Sequence, residues 1–167
     1  MNDAMLQDLL AHVRQRFYGK YRGVVVDTDA STMRIKASVP AVLPGQTTGW
    51  CLPCVPYAGP QVGFVMLPEV GTGVWIEFEG GDVSYPIWTG CYWNAGDVPS
   101  AAAVGVNSII TQAGTLSMDN SAGSVTLQDS GGDGLSIASS SATLQAGSGT
   151  IDVGSGVSVN NGALEVN

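Results

Sequence analysis

Residues 107–167 carry a repeat that strongly limits what the chain can fold into. Two apolar residues separated by one other residue recur seven times, and clusters of Gly, Ser, Asn and Asp lie between the pairs. This alternation is typical of short strands that direct two side chains to one face, and the clusters supply tight turns. Successive pairs stand 9, 10, 9, 7, 6 and 7 residues apart. Such a repeat predicts a solenoid or β-helix.

One chain of these strands cannot form a stable core, because ordering costs about 1 to 2 kcal/mol per residue and each layer has only two inward side chains. Three copies around one axis would share a core and pair their strand edges, so we expect an intertwined homotrimer. The predicted trimer core consists of Leu116, Met118, Val125, Leu127, Leu135, Ile137, Leu144, Ile151, Val153, Val157, Val159, Leu164 and Val166. A flexible linker or tail is the alternative, but linkers lack a sustained period-2 apolar pattern.

The charge distribution limits the possible partners. The chain has 6 Lys and Arg against 14 Asp and Glu, and every basic residue precedes Ala37. Because the acidic remainder repels phosphates, we expect no nucleic-acid partner. The sequence also lacks the patterns of a signal peptide and of a membrane span, which predicts synthesis and retention in a cytoplasm.

The first hundred residues change from a helical to a strand pattern. Residues 3–18 have the three- and four-residue apolar spacing of one amphipathic helix, whose apolar face could pack on its own domain or on a neighbour. Residues 21–28 and 33–39 predict a hairpin, residues 74–78 alternate with Val74, Ile76 and Phe78 inward, and residues 86–93 give a last strand. Five strands in this space predict a small OB-like barrel.

Reactive side chains are few in the sequence. Cys51 and Cys54 have the spacing of a redox pair, but they lie in a proline-broken β region and not at a helix N-terminus. Only Cys91 and His12 remain to complete a zinc site. The acidic residues near predicted turns are explained by turn capping. We therefore expect no catalytic residue, no cofactor, no metal site and no enzymatic activity.

A set of motifs appears in one order between residues 20 and 93. They are Tyr21-Arg22-Gly23-Val24-Val25, Met33-Arg34-Ile35-Lys36-Ala37-Ser38-Val39-Pro40, Trp50 with Pro53, Pro56-Tyr57-Ala58-Gly59, Gly63-Phe64, Leu67-Pro68-Glu69-Val70-Gly71, Val74-Trp75-Ile76-Glu77-Phe78-Glu79-Gly80-Gly81-Asp82 and Tyr85-Pro86-Ile87-Trp88-Thr89-Gly90-Cys91-Tyr92-Trp93. As an ordered set they resemble the OB domain of central-spike proteins of contractile injection machines. These are the baseplate assembly protein V family of contractile-tailed phages and the related VgrG spikes of type VI secretion.

The resemblance implies an OB barrel followed by a trimeric β-helical needle. Such a homotrimeric spike sits on a baseplate hub protein in the virion tail, is assembled in the host cytoplasm, and punctures the target cell membrane when the sheath contracts. We place the hub contact on the N-terminal helix. The candidate hub-docking residues are Leu6, Leu9, Leu10, Val13, Arg14, Arg16, Phe17 and Arg22. A spike of a bacteriocin or type VI-like machine is the alternative, and an oligonucleotide-binding OB module or a CxxC oxidoreductase is less favoured.

The sequence departs from some spikes in two ways. The connector has no room for the lysozyme domain that some members carry, so we expect no cell-wall hydrolysis. Residues 107–167 contain no His, so the iron-binding His-x-His apex of some phage spikes is not expected, and a hydrophobic cap or a separate tip protein at residues 164–167 takes its place. The predicted chain is all-β with one short helix: N-terminal helix 1–19, OB domain 20–93, connector 94–106 and trimeric needle 107–167.

Overall fold

The computed structural model describes residues 3–163. The chain divides into two compact units, one ending at Asp97 and the other beginning at Val98. This boundary lies inside the small-residue segment 94–106. Each unit has its own sheet.

The N-terminal helix is shorter than its apolar spacing predicted. Helix α1 spans Asp3–Arg14, and the carboxylate of Asp3 lies in its first turn, where it complements the helix dipole. The chain leaves the helix because Phe17 is held elsewhere: its backbone N–H donates to the carbonyl of Gly81 at 2.8 Å. The ring of Phe17 packs edge-on against Tyr21, with ring centroids 6.1 Å apart.

The first unit is a closed sheet. Its strands are β1 (Tyr21–Asp29), β2 (Arg34–Ser38), β3 (Leu52–Pro53), β4 (Ala58–Gly59), β5 (Val62–Gly63), β6 (Gly73–Phe78) and β7 (Pro86–Tyr92). Five of them form a sheet in the order β2-β1-β6-β7-β3, in which only β3 and β7 are parallel among the described pairs. A bridge between Ile35 and Cys51 joins the β3 end back to β2. The predicted hairpin is confirmed as β1 and β2, and the closure gives a small barrel.

Alternation along β6 fills the barrel as predicted. Val74, Ile76 and Phe78 are buried, whereas Trp75 and Glu77 are half-buried on the other face. The buried hydrophobic core of the described chain consists of Val25, Ile35, Ala37, Val39, Val42, Cys51, Val74, Ile76, Phe78 and Trp88. All these residues belong to the first unit, which therefore has a core of its own.

The second unit is one antiparallel sheet of seven strands within the described chain. They are β8 (Val106–Ile110), β9 (Gly114–Asp119), β10 (Ser124–Asp129), β11 (Gly134–Ala138), β12 (Ser141–Ala146), β13 (Gly149–Val153) and β14 (Val157–Val159). Each strand pairs with the next one along the chain. Turns of two to four residues connect them.

The short turns explain why this unit is a meander within the chain and not a solenoid. A turn of two residues can only return an antiparallel strand, whereas a parallel coil needs a longer crossover. The interior strand edges are therefore paired within the chain. The strands that the sequence predicted are present up to β14, and their winding around two other copies stays a prediction.

Candidate interaction surfaces

The antiparallel register gathers the apolar pairs of the second unit on one face of its sheet. Paired residues form two parallel columns that run across all seven described strands. The first column is Ile109, Leu116, Leu127, Leu135, Leu144, Ile151 and Val159. The second is Asn107, Met118, Val125, Ile137, Ala142, Val153 and Val157. We call these two columns the apolar ladder.

The apolar ladder has no cover within its own unit. Met118, Leu127, Leu135, Leu144 and Val157 are all exposed, as are most of the other ladder residues. No hydrophobic residue of the second unit is buried in the described part of the chain. A contiguous apolar surface of this length is unusual on an isolated soluble domain and marks an interaction site.

The opposite face of the same sheet is polar along its centre. Its central column is Ser108, Ser117, Thr126, Ser136, Thr143, Asp152 and Ser158. Small hydroxyl side chains can form hydrogen bonds with water and fit a pleated surface. The sheet thus has one face suited to solvent and one suited to burial.

Two basic side chains next to the barrel form ion pairs within their own unit. Arg16 forms an ion pair with Asp82 at 3.1 Å, and Lys20 forms one with Glu77 at 2.7 Å. Hydrogen bonds from Ser84, with Arg16 nearby, hold the pKa of the Asp82 carboxyl below its usual value. These contacts join the segment after α1 to the far end of β6.

Two further cations lie on aromatic rings. The guanidinium of Arg22 stands 5.7 Å from the ring centre of Trp75 and 5.8 Å from that of Tyr92. The ammonium of Lys36 lies 4.3 Å from the ring centre of Trp50 and 3.1 Å from a carboxylate oxygen of Asp27. Stacked and paired in this way, these side chains offer little free positive surface for a phosphate backbone.

Comparison with known families accounts for the barrel. Residues 21–93 match the family described as the type VI secretion system/phage-baseplate injector OB domain. This segment is therefore similar to an injector OB domain. The match covers less than half of the chain and stops before the second unit. No curated protein sequence matches the chain. The description of the family names phage baseplates and the type VI secretion system.

The predicted hub-docking residues fall into two groups next to this OB domain. Leu6, Leu9, Leu10 and Val13 lie on α1 with exposed side chains. Their spacing places them in one stripe of the helix.

The other predicted docking residues face the OB domain itself. Phe17 packs against its core, Arg16 pairs with Asp82, and Arg22 lies on Trp75 and Tyr92. The side chain of Arg14 lies outside the described part of the structure. The docking role of the whole set stays a prediction, and the exposed helical stripe is the part still open to a partner.

A cleft of about 680 Å³ lies at the end of β7 in the OB domain. Its lining residues are Glu69, Val70, Gly71, Thr72, Gly73, Cys91, Tyr92, Trp93 and Asp97. Cys91 is exposed, but partial desolvation of its sulfur raises the pKa of the thiol, which disfavours the nucleophilic thiolate. The backbone and side-chain amides of Asn94 both donate to Asp97, at 3.0 Å. The cleft thus combines acceptors and aromatic rings without an activated nucleophile.

The CxxC segment contains two cysteines in different surroundings. Cys51 is buried, with its sulfur 3.2 Å from the hydroxyl of Thr48, whereas Cys54 is exposed. Burial raises the pKa of the Cys51 thiol, opposite to the lowered pKa of a redox-active first cysteine. Among the described residues, no group of three or more His, Cys, Asp and Glu side chains could hold a metal ion.

The apolar ladder extends beyond the residues that the sequence predicted. Ile109 pairs with Leu116, and Asn107 pairs with Met118, so β8 adds a first layer. The alternation of Asn107 and Ile109 could have indicated this strand, but a single apolar residue beside an Asn gives a weak signal. Leu164 and Val166, the last predicted core residues, lie outside the described residues.

No helix in residues 3–163 is long and apolar enough to cross a membrane.

Proposed function

We propose that the protein is the homotrimeric central spike of a contractile tail baseplate. In this role it nucleates assembly with the hub protein and punctures the envelope of the target cell when the sheath contracts. The observation that carries the proposal is the exposed apolar ladder, which follows an injector OB domain in the same chain. A mechanical component of this kind needs no active site, and we propose no enzymatic activity.

The ladder supports association of copies because its apolar side chains are exposed in the single chain. A second layer must cover them if they are to be buried. Three sheets that turn their ladders toward one axis would enclose a narrow core and leave three polar faces outside. The side chains suit such a core, since all but Asn107 are aliphatic, Met or Ala. Because the interior strand edges are already paired, we place the contact between copies on the sheet faces.

The proposal assigns the two units different tasks. The trimeric sheet unit points toward the target membrane and transmits force. The OB domain and α1 contact the hub, with the exposed stripe of Leu6, Leu9, Leu10 and Val13 as the docking surface. The protein is then a virion tail component assembled in the host cytoplasm, and either a hydrophobic cap or a separate tip protein closes the C-terminal end of the needle. The spike of a bacteriocin or a type VI-like machine shares this architecture.

The first experiment is the molar mass of the full chain in solution by light scattering, alongside a chain that ends at Val106. The OB domain has its own core, so the shorter chain is expected to fold. A trimer that is lost or weakened on truncation supports the spike. A monomeric full chain at every concentration would contradict it.

A substitution in the ladder tests its contribution directly. Leu135→Asp places a carboxylate within the proposed core, and we expect the trimer to dissociate because a buried unpaired charge is costly. Ser136→Asp is the matched control, since the neighbouring residue lies on the polar face of the same strand. Equal masses and melting temperatures for the two variants would show that the ladder is not buried.

A further inference from the structure

One segment of the OB domain projects from the barrel. All residues from 56 to 66 are exposed, whereas the flanking Val55 and Leu67 pack against the core. The segment contains β4 and β5, which pair only with each other among the described strands. The backbone N–H of Phe64 extends this pairing by donating to the carbonyl of Tyr57 at 2.9 Å. We call residues 56–66 the projecting hairpin.

The projecting hairpin has the composition of a buried surface. Its exposed side chains include Tyr57, Val62, Phe64, Val65 and Met66. Aromatic residues and Met are enriched where proteins contact each other. Two strands of two residues each contribute little stability of their own, because a two-stranded hairpin is marginal even when longer. We therefore expect another protein surface to pack on this segment.

The absence of charged residues in this part of the sequence favours a second copy of the chain as the partner. The sequence has no Asp, Glu, Lys or Arg between Lys36 and Glu69, although the chain has a formal net charge of -8. Copies of an acidic chain repel each other wherever their carboxylates meet, so they can approach closely only through an uncharged surface. A basic partner, in contrast, would bind best to a surface with carboxylates, and this segment has none.

We infer that the projecting hairpin is a contact between copies, in which residues 56–66 of one OB domain pack on the OB domain of the next copy. The inference rests on the proposed trimer and extends it, since it locates a second association surface outside the apolar ladder. It gives the OB domains a fixed mutual arrangement that does not depend on the sheet unit alone.

Two tyrosines with the same exposure provide the test. Tyr57 lies in the hairpin and Tyr85 lies before β7, and each has 61% of its surface exposed in the single chain. We expect hydroxyl-radical labelling of the full-length trimer, read out by mass spectrometry, to modify Tyr57 several-fold more slowly than Tyr85. Because the sample contains only this chain, a hub protein cannot cause the protection.

The outcomes separate this inference from the proposed function. A trimer in which both tyrosines react at the same rate would leave the spike standing and overturn the hairpin contact. A monomer at every concentration would contradict both proposals.

A pair of charge substitutions provides a second readout on the full chain. Val65, which is 73% exposed, lies in the hairpin, and Val70, which is 64% exposed, lies outside it. We expect Val65→Asp to raise the concentration at which the trimer dissociates by about tenfold or more, because it places a carboxylate in the contact. Val70→Asp should leave that concentration unchanged. Equal effects of the two changes would count against the contact.

Discussion

Gly134 shows how tightly single residues constrain the sheet unit. A Cβ atom built on Gly134 would overlap the carbonyl oxygen of Leu127 and lie 2.9 Å from the Cα of Gln128. Both obstacles are backbone atoms of the neighbouring strand, so no side-chain rotation relieves the overlap. Gly114 lies on the other side of β10, and a Cβ atom built on it would overlap the carbonyl oxygen of Gln128 and lie 3.0 Å from the Cα of Asp129.

We expect Gly134→Ala to destabilise the protein by roughly 1 to 3 kcal/mol, the usual cost of overpacking a tight site. Gly156→Ala is the matched control, because a Cβ atom there meets no heavy atom within 4 Å. Thermal and urea unfolding measure the difference. If the two alanine variants unfold alike, then the strands are farther apart at Gly134 than the structure indicates.

Cys51 gives a prediction for alkaline pH. Because burial raises the pKa of its thiol above the ordinary value of 9.0, the unfolded chain loses this proton at a lower pH than the folded chain. The contribution of Cys51 to the free energy of unfolding is therefore fully present below about pH 8.5 to 9 and is lost as pH rises through the folded-state pKa.

We expect Cys51→Ala to reduce the fall in stability between pH 8 and pH 10. Urea unfolding at several pH values, in parallel with the wild-type chain, measures the slope. Identical slopes would mean that the Cys51 thiol titrates in the folded protein as it does in the unfolded one.

Apolar spacing did not predict where the N-terminal helix ends. Phe17 continues the apolar spacing of the N-terminal helix, and the sequence therefore placed it on the docking face. In the structure it lies beyond the end of α1 and packs with Tyr21 and Phe78 in the OB core. The backbone contact with Gly81 that redirects the chain joins residues 64 positions apart, and no local pattern indicates such a contact.

Helix α1 exposes an apolar stripe to solvent. It has 12 residues, and helices of this length are marginal in water unless an apolar face packs on something. We expect the double change Leu6→Glu with Leu10→Glu to leave the trimer intact but to prevent its incorporation into baseplates. The physical reason is that two carboxylates would replace the apolar contact.

The control is Gln7→Glu with Gln15→Glu, which adds the same charge at two other exposed positions. Complementation by each variant, with light scattering of the purified chain, separates docking from trimer formation. Normal baseplates with the leucine variant would show that α1 does not dock, and loss of the trimer would assign the helix to contacts between copies.

The strands differ in how well their sequence predicted them. Period-2 pairs fixed the inward face of β6 and of most strands after residue 114, because alternation alone decides which side chains share a face. The pairing of these strands depended on turn length, and a repeat does not show whether its strands coil or return. The projecting hairpin gave no strand signal, since prolines 56 and 60 interrupt it and its strands have only two residues each.

For the whole molecule, two units with different cores should unfold in different ways. The OB domain has an internal core, whereas the sheet unit is proposed to have a core only in the trimer. We therefore expect the melting temperature of the sheet unit to rise by roughly 10 °C for a hundredfold increase in protein concentration.

The two transitions can be followed separately, because all 4 Trp residues of the chain lie in the OB domain. Trp fluorescence reports on the OB domain, and far-ultraviolet circular dichroism reports on both units. The fluorescence transition should shift less with concentration than the sheet transition. A sheet transition that does not depend on concentration would mean that this unit is stable as a single chain.

The stacking of strands β8 to β14 also makes the mechanical response of the sheet unit depend on the direction of load. Their backbone hydrogen bonds point along the stacking direction, because such bonds lie perpendicular to antiparallel strands. Compression along that direction presses neighbouring strands, about 4.8 Å apart, against each other. Tension would instead pull neighbouring strands apart, and strand pairs could then separate one at a time. If the protein is the proposed spike, the sheet unit should therefore resist compression during puncture better than tension during withdrawal.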